Sequence, residues 1–477
     1  MPLSAKTPFR LTLALSLALA VSGLHAAPRY ELKDPALAAM VDQTPFTRKM
    51  LDVMHASSAQ GKVKLSRADV MRAIIESHLL GRYALKTYGR GALLEDNRVS
   101  FKPEVVLDNE FTNMIQVAFR PQLQAALQKL GGGLDKTLSG EEPIKPTEWA
   151  QYLPPPNQLQ LEIRMSNKGL ALAEKRVLLR YRFDDKTQGV VTLKDVYRIQ
   201  NVQGRNEMIN RNSDYVQQQA RAIVVSRFVA HWTETASGLT PREIAGLREA
   251  LLNKAYLDGY VTWIGIAADI HDDNQTLKAR AKAVTDKEVR AYYTAHRDEF
   301  KRVEGVRARH ITVADEKTAQ MLYDRLAKGE KFSDLAAQYS LAPDGKKGGD
   351  LGWIQANGKN NGNWIDTFAF LQTPGTVSRP IRTPVVNGQA RWELVLIDEK
   401  KEGYHPIDSS TVKYEASQII ARQKVIAEYR AVRSRLLQKS DINLSPELKG
   451  ETDWDIKTGE LPTAKPHSHD HGPGQNH

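Results

Sequence analysis

There is no cysteine anywhere in the 477 residues. That excludes a disulfide framework, a thiol nucleophile, a Cys-ligated metal and a lipidated cysteine behind a leader segment. Beyond residue 26 no stretch reaches 18 consecutive apolar residues, so the sequence offers no membrane-spanning helix there. It also contains no Walker A loop, no H-E-x-x-H, no G-x-S-x-G elbow and no dinucleotide fingerprint, which weakens nucleotide, hydrolase and cofactor readings together. Gly131-Gly132-Gly133 lacks the following Lys-Ser or Lys-Thr pair and reads as a loop. Hydrophobic residues at 41% are enough for buried cores, and the length asks for several domains.

Lys and Arg exceed Asp and Glu by 67 to 56, a formal charge of +11 that favours anionic surfaces or acidic segments. Part of that charge belongs to a leader. Lys6 and Arg10 precede the apolar run Leu11 to Val21, and Ala26 offers a small residue for cleavage, so residues 1–26 read as a secretory signal peptide. Cleavage near Ala26 leaves +9 and predicts a periplasmic protein, with a membrane surface rather than nucleic acid as the anionic partner.

From Leu37 to Leu130 the apolar residues recur at helical spacing, with Ser66 as a cap ahead of Val70, Ile74, Ile75, His78 and Leu79. After Pro154-Pro155-Pro156, the alternations Leu159 to Met165 and Val177 to Phe183 predict a small strand pair near 158–184. Helical spacing returns from Thr192 to Phe300. Thr240-Pro241-Arg242-Glu243 and Thr285-Asp286-Lys287-Glu288 are both capping boxes that mark helix starts. In these helices apolar stripes read as core and charges as solvated faces.

The texture changes at Val306. A strand (Arg307 to Val313), a helix (Asp315 to Lys328), a short helix (Phe332 to Tyr339), a second strand after Gly348-Gly349, a helix (Trp364 to Leu371) and two strands around Asn387-Gly388 predict a compact α+β module. A long helix, Thr411 to Leu437, follows and should pack back on the N-terminal helices. The whole chain is thus expected to be α+β, a mostly helical body with one inserted module. Its expected parts are 27–305 for the body, 306–400 for the module, 405–460 for the returning helix and 461–477 for a disordered tail rich in Pro, Gly and His.

Five segments of the module, in order, carry a family likeness: Arg307-Ala308-Arg309-His310-Ile311, Gly329 to Ala336, Tyr339-Ser340, Gly348 to Trp353, and Pro374 to Pro384. Together they resemble the parvulin family of peptidyl-prolyl isomerases. The leader, helical body and long final helix resemble the exported SurA and PrsA class of parvulin-containing chaperones. This resemblance implies a folding factor for unfolded or nascent exported proteins and proline-containing segments, needing no cofactor. It further implies two histidines facing across the sheet, a Cys or Asp between them, a hydroxyl nearby and an apolar proline pocket.

Carried onto this chain, His310 fits the first histidine, Thr383 the hydroxyl and Leu351 the pocket, with Trp364 or Phe370 as the pocket aromatic. Ala342 stands where the Cys or Asp is expected. No histidine occurs between His310 and His405, and the second histidine's place falls on Glu393, or on Trp392 with a one-residue slip. The resemblance therefore leaves two readings open, a weak isomerase and a chaperone whose module only binds. A third comes from the tail, where His467, His469 and His471 at alternate positions could converge on Cu, Ni or Zn or simply remain solvated.

Overall fold

The computed structural model describes residues 28–58, 64–94, 100–156, 164–267, 274–356, 364–385 and 390–449. The signal-peptide reading, the Asn387-Gly388 turn and the tail histidines His467, His469 and His471 lie outside them. Among the described residues, no helix is long and apolar enough to cross a membrane. The chain is α+β and divides into two compact units. One combines the residues up to 267 with those from 426 onward, and the other runs from 274 to 425.

The first unit opens differently from the helical expectation. Leu37–Val41 and Thr44–Thr47 form a hairpin, and Ile442–Leu444 adds antiparallel to its first strand. Helices Arg48–Ser58, Arg67–Tyr88, Pro103–Ala118, Ser213–Ala236 and Pro241–Trp263 then enclose the main core. The start of Arg67–Tyr88 is set by a capping box in which the Ser66 hydroxyl and the Asp69 carboxylate each accept a backbone N–H of the other. The box at Thr240 and Glu243 forms likewise, with Pro241 in the first turn. Arg67–Tyr88 and Pro241–Trp263 meet backbone to backbone, because a Cβ on Gly81 would lie 2.2 Å from the Asn253 carbonyl oxygen. Within this unit the last turns of the helix Ser410–Lys439 return onto the N-terminal helices: Arg433 forks onto both oxygens of Glu76, and Tyr429 sits 6.1 Å from Tyr260.

The strand pair expected near 158–184 takes another form. Val177–Arg182 is a strand, but its partners are Leu138–Glu141 and Gln188–Thr192, between which it is central. The residues ahead of it, Asn167–Lys175, are helical, since the Ser166 hydroxyl accepts from the Gly169 amide and caps a helix start. Residues 157–163 are outside the described chain.

In the second unit the four-stranded sheet consists of β1 (Lys301–Val313), β2 (Asp350–Gln355), β3 (Ile381–Arg382) and β4 (Trp392–Tyr404). Its order is β2-β1-β4-β3, antiparallel throughout. Alternation sorts the side chains onto two faces. Ile311, Val313, Trp392, Leu394 and Leu396 pack with α1 (Glu316–Ala327) and α2 (Phe332–Tyr339). Ala308, Val395 and Ile397 pack on the opposite side with α3 (Trp364–Leu371). The compact unit extends beyond 306–400: Val289 and Phe300 before it join Val412, Ala416 and Ile420 after it in a small separate cluster.

Candidate active site

His310, Thr312 and Glu393 fall on the α3 face of the sheet, because His310 and Thr312 follow Ala308 at two-residue steps while Glu393 precedes Val395 by two. Thr312 lies directly opposite Glu393, and His310 opposite Val395. His310 Nδ1 is 2.8 Å from Glu393 Oε2, and its Nε2 is 3.0 and 2.9 Å from the two carboxylate oxygens of Asp344. The Thr312 hydroxyl donates to Glu393 Oε1 at 2.8 Å. Side-chain exposures of 12% for His310, 8% for Glu393 and 24% for Asp344 make this a floor, reached from solvent on the Asp344 side.

A carboxylate only accepts hydrogen bonds, so an imidazole with one carboxylate at each nitrogen is best served by donating from both. Burial opposes that charge, but hydrogen bonding and attraction from Glu393, with Asp344 adding to them, outweigh it and raise the His310 pKa above its ordinary value. Two carboxylates facing one imidazole make the array an acidic one.

Asp344 reaches His310 through a ladder of backbone bonds. The Leu341 amide donates to the Thr312 carbonyl at 2.7 Å, and the Ser340 hydroxyl accepts the amides of Thr312 and Ala342. Asp344 then starts a tight turn whose Lys347 and Gly349 amides both donate to the Asp344 carbonyl, at 2.8 and 3.0 Å. The Gly349 carbonyl in turn accepts the His310 amide at 2.9 Å. The acidic group of the site therefore comes from Asp344, while Ala342, the position indicated by sequence spacing, brings no polar side chain. Asp344 and Thr312 are the two participants that sequence reasoning missed.

The other expected residues divide. Leu351, Trp364 and Phe370 are half-buried and all pack on the apolar cluster of the α3 face, the face that carries His310. Trp392 packs on the opposite face, which leaves Glu393 as the residue facing His310. Thr383 is not joined to the array. Its amide donates to the Arg391 carbonyl at 2.8 Å, and its hydroxyl accepts the Arg391 amide at 2.9 Å and contacts the Pro384 carbonyl at 3.2 Å. That hydroxyl is spent on closing the strand end. No group of three or more His, Asp or Glu with metal-ligand geometry occurs among the described residues.

A four-stranded antiparallel sheet with helices on both faces, a histidine and two carboxylates on one face and an apolar cluster beside them is the build of a parvulin-type domain. Residues 284–409 match the family described as the PPIC-type PPIASE domain. This part of the chain therefore matches a parvulin-type peptidyl-prolyl isomerase domain, and the relatives it is similar to include foldases. The "Foldase protein PrsA" of Caldanaerobacter subterraneus subsp. tengcongensis is 44% identical over 104 residues, covering 21% of this chain and 31% of that protein. The protein of the same description from Bacillus subtilis is 33% identical over 167 residues, 34% of this chain and 50% of its own. A "Probable parvulin-type peptidyl-prolyl cis-trans isomerase" of Bordetella pertussis is 28% identical over 199 residues, 38% of this chain and 72% of its own. The chain thus spans half or less of the length of those two PrsA relatives.

Proposed function

We propose that this chain is an exported folding factor that binds unfolded clients and weakly accelerates cis-trans isomerisation of their X-Pro bonds. The observation that carries the reading is the Asp344–His310–Glu393 array set beside the apolar cluster of Leu351, Trp364 and Phe370 on one sheet face. Rotation about a peptide bond faces a barrier of roughly 18 to 20 kcal/mol, and uncatalysed X-Pro exchange takes tens to hundreds of seconds. In the planar amide, resonance places partial negative charge on the carbonyl oxygen, and rotation withdraws it. An anionic floor near that oxygen disfavours the planar forms, while the apolar wall grips the proline ring equally in both. The site so binds the twisted amide best, and each ~1.36 kcal/mol of that preference accelerates exchange by about tenfold.

Weakness follows from how the array is occupied. Both nitrogens of His310 already face carboxylates and the Thr383 hydroxyl is engaged, so few polar groups remain to grip the substrate. The same fact favours the second reading, a module that binds proline-containing segments without turning them over.

The foldase description of the relatives and the signal-peptide pattern of residues 1–26 support exported proteins as clients and a periplasmic location. The positive net charge supports acidic client segments or anionic lipid headgroups as further contacts. No cofactor is needed, and His467, His469 and His471 provide a separate weak site for Cu, Ni or Zn. The test is refolding of a client limited by proline isomerisation, run beside aggregation suppression on the same sample of the full chain. Faster refolding together with suppressed aggregation supports the main reading. Suppression of aggregation with an unchanged refolding rate supports the binding module, and an effect on neither overturns the proposal.

A further inference from the structure

The buried threonine beside the array bonds one of its carboxylates directly. Thr312 is only 5% exposed and sits directly across the strands from Glu393. His310 is one pleat further along β1, so Glu393 must lean diagonally along the sheet to reach Nδ1, a longer reach than to the residue opposite. A glutamate has three side-chain torsions, and something must select the leaning rotamer. A hydroxyl can do so. Against an ionised carboxylate, Thr312 is necessarily the donor, and β-branching restricts the torsion that aims its hydroxyl.

The bonding divides the carboxylate cleanly. Oε1 takes the Thr312 hydroxyl at 2.8 Å and Oε2 takes His310 at 2.8 Å. On the other flank of β4, Glu393 faces Ile381, which has no donor to offer. Among the described residues these are the two side-chain donors bonded to Glu393. Resting on the isomerase reading above, we propose that Thr312 is the positioning residue of this site, orienting Glu393 so that its second oxygen holds the His310 ring with Nε2 toward Asp344. Without the hydroxyl, Oε1 would be buried with no donor, and Glu393 would either take up a proton or swing away. Each outcome loosens the imidazole and lessens the preference for its charged form.

The test compares full-length wild type, Thr312→Val and Thr312→Ser, by NMR titration of His310 and by proline-peptide isomerisation as a function of pH. His310 resonances are identified by their absence in His310→Gln. Valine keeps the shape and removes the hydroxyl, while serine keeps the hydroxyl and removes the methyl. Expected for Thr312→Val is a His310 midpoint displaced to lower pH, with isomerisation slowed about tenfold, the scale of one lost hydrogen bond to a charged group, and peptide KM little changed. Thr312→Ser should restore both. A His310 midpoint in Thr312→Val equal to wild type overturns the proposal. So does equal damage from Thr312→Ser with native melting behaviour, because packing of the methyl would then be the cause. If wild type itself shows no isomerisation, the functional reading fails, and the His310 titration still decides the role of Thr312.

Discussion

Gly349 and His310 meet backbone to backbone. The Gly349 carbonyl accepts the His310 amide at 2.9 Å, and a Cβ on Gly349 would stand 2.1 Å from the His310 carbonyl oxygen. Gly349 also has φ +69°, a left-handed conformation that costs side-chain-bearing residues energy. This contact seats the Asp344 turn against the histidine strand, so the geometry of the array depends on a missing methyl group.

Gly349→Ala is therefore expected to destabilise the second unit by about 1 to 3 kcal/mol and to separate Asp344 from His310. Urea unfolding followed by a probe within residues 274–425 measures the first effect. The His310 titration measures the second, which should move toward lower pH as one carboxylate is lost.

Stability should depend on pH through His310. Its folded pKa is raised because Glu393 and Asp344 outweigh the cost of burial. The stabilisation is fully present below the unfolded value of about 6.5 and is lost as pH rises through the folded value. Unfolding free energy of the second unit measured from pH 6 to 9 should decline with pH in wild type. It should decline less in His310→Gln.

Asp344→Asn removes one charge and leaves the turn's backbone bonds in place. Isomerisation is expected to fall about tenfold or more, the scale of a hydrogen bond to a charged group, with client aggregation suppressed as before. Equal rates for Asp344→Asn and wild type would remove Asp344 from the chemistry.

In the first unit, Thr240→Ala deletes the cap of the helix Pro241–Trp263, and about 1 kcal/mol of stability should go with it. Thr240→Ser should recover most of the loss in the same denaturant titration.

These caps were legible in the sequence because a capping box is local: Thr240 and Glu243 are three residues apart and the chemistry is complete within one turn. The order of elements in the module was legible for a similar reason, as where Asp315 caps one helix start and Gly329 follows that helix's end. The opening hairpin was not. Leu37–Val41 and Thr44–Thr47 are five and four residues long, and their third strand, Ile442–Leu444, lies about 400 positions later, so no local period announces it. Leu37 to Val41 is apolar enough to be absorbed into the helical stripe that follows. Ser166 and Gly169 carried a helix start, but between the alternating runs Leu159 to Met165 and Val177 to Phe183 that stretch reads as the break between two strands. At the site, His310 and the choice between Glu393 and Trp392 came from the parvulin resemblance, and pairing across the sheet selects Glu393. Asp344 was hidden because Pro343-Asp344-Gly345 reads only as a turn, and its aim exists only once the turn is seated on β1. Thr312 looked like an ordinary strand residue, and nothing before folding ties it to a glutamate 81 positions away.

If the Asp344–His310–Glu393 array accelerates proline isomerisation, removing the imidazole must slow it. The most direct measurement is exchange NMR on an X-Pro peptide with full-length wild type and His310→Ala at equal concentration. Cis-trans exchange is expected above the uncatalysed rate in wild type and close to that rate in His310→Ala, with the variant still folded. Catalysis undiminished in His310→Ala, or no exchange above background in wild type, would contradict it.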